Sequence, residues 1–212
     1  MASDSWSTAA SLATAGGTLV LAIATFASIR ASNRSARTAE RALLAGLRPV
    51  LMSSRLEDEV QKVHFQDGKW LRVSGGCAAV EVTDEAIYLA ISLRNVGQGM
   101  AILHGWNLDR LDLGQVPAPH EPEQFRRLTR DLYVAPGDTG FWQGALRDPS
   151  EATFEVARAA FANDQPVTVD LLYGDHEGGQ RVITRFALHK RADGEYMTAT
   201  ARHWNLDRDD PR

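Results

Sequence analysis

Residues 87–101 read IYLAISLRNVGQGMA, and this stretch decides the fold class. Ile87, Leu89, Ile91 and Leu93 alternate with Tyr88, Ala90, Ser92 and Arg94. A period of two sends successive side chains to opposite faces, which is the signature of a half-buried strand. Asn95-Val96-Gly97-Gln98-Gly99 then turns the chain, and residues 100–108 return as the next strand. Asn and Gly suit such a bend because they accept backbone conformations that other residues avoid.

The same pattern continues outward in both directions. Upstream, residues 49–56 open the β region, and residues 60–65 and 69–73 flank Gln66-Asp67-Gly68, a hairpin turn. Residues 78–82 form a further short strand. Downstream, residues 125–134 and 139–146 surround Ala135-Pro136-Gly137-Asp138, a turn by composition. Residues 167–173, 181–190 and 195–204 follow, joined by the glycine-rich turn at 174–179 and by Ala192-Asp193-Gly194. Two segments break the pattern. Residues 112–122 hold three prolines and read as a loop, and residues 149–162 (PSEATFEVARAAFA) read as a helix. Pro149, Ser150 and Glu151 start that helix, and Phe154, Ala157, Ala160 and Phe161 share one of its faces. About nine or ten short strands with one helical insertion predict a mainly β domain, an antiparallel immunoglobulin-like sandwich. Trp70, Trp106 and Trp142 are expected in or near its core.

The N-terminal part has a different character. No charged residue occurs from Ser5 to Ile29, and residues 9–29 carry Leu12, Leu19, Val20, Leu21, Ile23, Phe26 and Ile29 among small residues. About 20 such residues in a helix cross a bilayer. A cleaved signal peptide requires a basic start, whereas this chain begins MASDSW. Arg30, Arg34, Arg37 and Arg41 follow the apolar stretch, and no Lys or Arg precedes it. The positive-inside rule therefore places the rest of the chain in the cytoplasm, with Trp6 at the outer interface. At 100° per residue the four arginines fall within about 60° of one another, a basic stripe suited to anionic headgroups of the inner leaflet. Ala36, Ala39, Leu43 and Leu47 lie away from that stripe, and Gly46 and Pro49 mark the end of the helix. Ala9, Ala13 and Gly17, with Gly16 beside them, have the spacing at which two membrane helices approach closely, so a homodimer through this helix is one expectation. The predicted organisation is a short extracytoplasmic segment 1–8, a span 9–29, a basic stalk 30–47, a sandwich 48–204 and a tail 205–212. The expected location is the inner (plasma) membrane.

Charge distribution narrows the partners. The net charge of the 212 residues is −4. Residues 1–29 carry −1 and residues 30–48 carry +4, which leaves −7 for residues 49–212. A basic collar on an acidic domain argues against nucleic acid, whose phosphates need clustered Lys and Arg. Cys77 is the single cysteine, so no intrachain disulfide forms, as in a reducing compartment.

Motifs for chemistry are absent. His64, His104, His120, His176, His189 and His203 have no metal-ligand spacing. Asp175-His176-Glu177-Gly178-Gly179 gathers three potential ligands in one turn, but consecutive turn residues diverge. No nucleophile elbow, phosphate loop or dinucleotide fingerprint occurs. Catalytic, cofactor and metal residues are accordingly assigned to none. Two surface candidates remain for a partner. With Val182, Thr184, Phe186 and Leu188 facing the core, Arg181, Arg185 and His189 share the opposite face beside Asp170. Trp204 begins the run WNLDRDDPR, which either docks on the sandwich or serves as a recognition peptide.

Leu93-Arg94-Asn95-Val96-Gly97-Gln98-Gly99-Met100-Ala101, the Arg48-Pro49 pair and Arg202-His203-Trp204-Asn205-Leu206-Asp207 resemble motifs of uncharacterised bacterial, in part actinobacterial, proteins. In those proteins a membrane helix and a short stalk precede an Arg-Pro pair and a β-sandwich. The resemblance implies the layout and no activity. The function expected from the whole sequence is a membrane-anchored cytoplasmic binding or scaffold module for a protein partner. The alternative is a small-molecule or ion sensor built from loops 95–99, 112–122 and 174–179, with an unrecognised hydrolase third.

Overall fold

In the computed structural model the described residues are 2–111 and 118–207, with side chains described from Thr14 onward, Ala45 aside. The expected role of Trp6, the small-residue positions Ala9 and Ala13, most of the loop 112–122 and the tail beyond Asp207 lie outside these limits. The chain forms two compact units that divide between Ala45 and Gly46.

The first unit is a single helix, α1 (Ala2–Gly46), which runs without a break through the segments expected as span and stalk. Over Thr14–Leu44 its best window has a mean hydropathy of 1.4 and no residue is buried. It is long and apolar enough to cross a membrane.

The second unit is mainly β. Its elements are β1 (Leu51–Ser53), β2 (Gln61–His64), β3 (Trp70–Val73), β4 (Cys77–Val82), β5 (Ile87–Asn95), β6 (Ala101–Arg110), β7 (Arg126–Val134), β8 (Thr139–Leu146), α2 (Ala152–Ala162), β9 (Val167–Gly174), β10 (Val182–Lys190) and β11 (Tyr196–Asn205). Nine of these strands make one antiparallel sheet, in the order β1-β5-β4-β11-β10-β9-β6-β7, with β8 on the other edge of β5. β4 pairs with the first half of β5 and β1 with its last three residues. The expected two-sheet immunoglobulin-like arrangement thus gives way to one continuous curled sheet. β7 and β8 are neighbours through the turn at 135–138, and Arg130 donates to Gln143 across them at 2.8 Å.

The sheet curls because its inward residues need a common interior. Ile87, Leu89, Ile91 and Leu93 of β5 share one core cluster with Val167, Val169, Leu171 and Tyr173 of β9 and with Phe186, Trp106 and Trp142. α2 fills this interior with Phe154, Ala157, Ala160 and Phe161, the face its spacing predicts. Phe161 meets Tyr196 edge to face with centroids 5.5 Å apart. Burying each such phenylalanine is worth about 1.5–3 kcal/mol. The hairpin β2–β3 stands outside the sheet and lays Val63, Phe65, Leu71 and Val73 on Ala90. Trp106 and Trp142 are core residues as expected, whereas Trp70 is 60% exposed. The reason is parity: residues 63, 65, 71 and 73 take the inward face of the hairpin, so residue 70 points out.

Candidate functional site

The helix is the first candidate surface. Leu19, Val20, Leu21, Ile23, Phe26 and Ile29 are each more than half exposed. The hydroxyls of Thr18 and Thr25 donate to the carbonyls of Thr14 and Leu21, four residues back, at 2.8 and 2.7 Å. These two hydroxyls are thereby satisfied within the helix, as a hydrocarbon environment demands. Arg30, Arg34, Arg37 and Arg41 are exposed and follow the apolar stretch. Gly16 and Gly17 have open space where a side chain would stand.

The start of the β unit is held by the 95–99 turn. Asn95 is fully buried, and its amide nitrogen donates to the carbonyls of Gly99 and Val134 at 2.7 and 2.9 Å. Its Oδ1 accepts from the backbone N–H groups of Val50 and Gly97 at 3.2 and 3.0 Å. Val96 N–H bonds to Val50 C=O at 2.8 Å, and Gln98 N–H to Arg48 C=O at 3.2 Å. A Cβ on Gly97 would lie 2.3 Å from the Arg48 carbonyl oxygen, and one on Gly99 1.7 Å from that of Leu47. Neither glycine has positive φ. They are required for the close approach of residues 47–50, and the bend itself does not need them. Two of the quoted motifs, Arg48-Pro49 and the 93–101 segment, are therefore a single structural feature: a backbone cradle around the first residues of the domain.

The outer face of β9, β10 and β11 is the second candidate surface. Arg185 makes a two-pronged contact with Asp170, from Nε to Oδ1 and from Nη2 to Oδ2, both at 2.7 Å. Asp170 is 1% exposed. Its Oδ2 also lies 2.7 Å from His120 Nδ1, and the other ring nitrogen of His120 is 3.8 Å from Asp109. The Arg185 guanidinium sits 5.0 Å from the Trp204 ring centroid, with Arg202 6.0 Å away. Arg185 also donates to the carbonyl of Ala118, so the segment after residue 117 lies over this face. Its hydrogen bonds to Asp170 raise the Arg185 pKa above the ordinary arginine value.

The surface residues named from the sequence thus divide. Arg185 and Trp204 come together beside Asp170, but Trp204 is not at the surface: it is buried against Phe125, Leu172 and Ile183, so the expected exposed anchor is a packing residue. Arg181 is taken by Asp207, through its backbone N–H at 2.6 Å and through Nη2 at 2.8 Å, and this holds the Asp207 carboxyl below its usual range. His189 is exposed near the other end of β10. His120 and Asp109 complete the cluster, and no local motif announces them, because residue 120 meets residue 170 only through the fold.

The remaining candidates are internally occupied. Asp175 accepts from Gly179 N–H at 2.9 Å and from the Gln180 amide at 3.3 Å, closing its own turn. Among the described residues no three His, Cys, Asp or Glu side chains are placed to hold a metal. Cys77 is buried, and burial, followed by the charge of Glu195, pushes its thiol pKa up. A groove of about 200 Å³ lies between β7 and β8, lined by Trp106, Arg126, Leu128, Gln143 and Arg147 among others. It is smaller than the roughly 300–1,000 Å³ of typical small-molecule sites. No protein-family model matches the chain, and no curated protein matches it in sequence.

Proposed function

We propose that the protein is a single-pass, membrane-anchored binding module whose β domain lies in the cytoplasm and holds a protein partner at the inner membrane. The observation that carries this reading is the apolar stretch of α1, none of it buried over the described residues Thr14–Leu44, followed by four arginines. A row of exposed Leu, Ile, Val and Phe in water is unfavourable by about 25 cal/mol per Å², and a bilayer removes that penalty. The arginines then set the direction, because positively charged flanks stay on the cytoplasmic side. The resemblance of Arg48-Pro49 and the 93–101 segment to membrane-anchored sandwich proteins supports the same layout.

The outer face of β9–β11 is the partner surface this reading favours. Its accessible side chains include Arg202 and His189, and arginine is among the residue types that dominate binding energy at protein interfaces; Trp204, 6% exposed, lies beneath them against Phe125, Leu172 and Ile183. Asp170 fixes the Arg185 side chain in place, so less conformational freedom is lost on binding. The modest volume of the β7–β8 groove favours recognition on a surface over enclosure of a small molecule.

Photocross-linking in native membranes tests this. A photoreactive side chain at position 189 or 202 is expected to give one discrete heavier adduct, while one at Glu155 on α2 gives none. Absence of any adduct from the outer-face positions, in chains that remain in the membrane fraction, contradicts partner holding by this face.

A further inference from the structure

The β2–β3 hairpin has an inward face with an evident purpose and an outward face that the fold does not explain. Inward, Val63, Phe65, Leu71 and Val73 cover the sheet. Outward, the register sets Lys62 directly opposite Arg72 and His64 directly opposite Trp70. Like charges directly opposite one another on a hairpin are destabilising. Among the described residues neither cation has a carboxylate within salt-bridge distance. The hairpin's own ion pairs, Lys69 with Glu81 and Arg147 with Asp67, neutralise the turn end and leave this pair alone.

The apolar exposure of the domain concentrates at the same place. Trp70 and Val60 are 60% and 56% exposed, and both stand on this hairpin or at its start, whereas Leu56 lies apart against Gly76. Val60 continues the parity of Lys62 and His64. The Trp70 ring lies against His64 with centroids 4.4 Å apart.

We propose that this face, Lys62, His64, Trp70 and Arg72 with Val60, is a contact surface for an anionic phospholipid bilayer. Tryptophan settles at headgroup level, aliphatic side chains dip just below it, and Lys and Arg reach up to the phosphates. The inner leaflet supplies the negative charge that the Lys62–Arg72 pair lacks within the chain. The inference rests on the anchored reading above, because a tether supplies the high local concentration of lipid that makes a small contact sufficient.

The test uses the full chain with vesicles of phosphatidylcholine, alone or mixed with phosphatidylglycerol, carrying brominated acyl chains that quench nearby indoles. The difference in emission between the unaltered chain and Trp70→Phe isolates Trp70. The expected result is a blue-shifted, bromine-quenched Trp70 signal with phosphatidylglycerol, little change with phosphatidylcholine alone, and loss of the response in the Lys62→Glu/Arg72→Glu variant. A Trp70 signal that ignores lipid, or responds equally to neutral lipid, overturns the proposal. So does a signal that responds to added poly-glutamate and to no vesicle, which would assign the face to an acidic protein. Flotation with neutral vesicles reads the anchor separately. A chain that floats while Trp70 stays silent loses the hairpin contact and keeps the anchor. A chain that fails to float loses the anchor, while Trp70 is still read on added vesicles.

Discussion

Asn95 uses every hydrogen-bonding position of its side-chain amide inside the protein, two as donor and two as acceptor. Asn95→Ala strands the buried carbonyls of Gly99 and Val134 and the partly buried N–H groups of Val50 and Gly97, and each buried unsatisfied group costs about 1–3 kcal/mol. Partial relaxation leaves an expected loss of about 3 kcal/mol or more, read as a lower urea midpoint with an unchanged slope. Asn95→Asp is expected to be no rescue, since a carboxylate cannot donate to the Gly99 and Val134 carbonyls. Gly99→Ala is expected to destabilise comparably, because its Cβ would overlap the Leu47 carbonyl. The sequence showed Asn, Gly and Gly at the end of a strand and suggested a bend. It did not reveal that residues 47–50 press against that bend, since such an approach is set by contacts about 50 positions apart in the chain. Trp70 is the opposite case. Its outward direction was legible in the parity of Val63, Phe65, Leu71 and Val73, and the general preference of Trp for cores obscured it.

At the scale of elements, strand positions were readable and strand partners were not. Alternation depends on neighbouring residues, so β5, β9 and β10 stand where the period of two placed them. The pairings β4 with β11 and β6 with β9 join segments far apart in sequence, and they convert an expected pair of sheets into one curled sheet. The end of β11 depends on the Arg181–Asp207 pair and on the Leu206 N–H bonded to the Arg181 carbonyl at 3.1 Å. Hydrogen bonds from Arg181 depress the Asp207 pKa in the folded state. The stabilisation this gives is present above the ordinary carboxylate range and is lost as pH falls through the lower, folded-state value. Acidification is therefore expected to speed amide exchange at Leu206, after correction for the intrinsic rate, before the core strands respond. Both partners are partly exposed, so the effect is local and small. In Arg181→Gln the acid-dependent component is expected to shrink to the part carried by the backbone N–H of residue 181; an undiminished component would assign the fraying to another group.

At the scale of the whole molecule, the helix was the most legible part, because length, hydropathy and flanking charge are properties of contiguous sequence. The candidate partner face was legible in half. Arg185 beside Asp170 follows from strand parity, whereas His120 and the covering of that face by residues from Ala118 onward come only from the fold. The central claim is that the chain crosses the membrane once and leaves its β domain in the cytoplasm. Single cysteines at Ser3 and at Glu177 in the exposed turn, each in a Cys77→Ser background, test it with a membrane-impermeant thiol reagent on intact cells. The account predicts labelling at position 3 in intact cells and at position 177 only after the membrane is opened. Labelling at position 177 in intact cells would contradict it, placing the β domain outside the cytoplasm and the arginine stripe on the wrong leaflet.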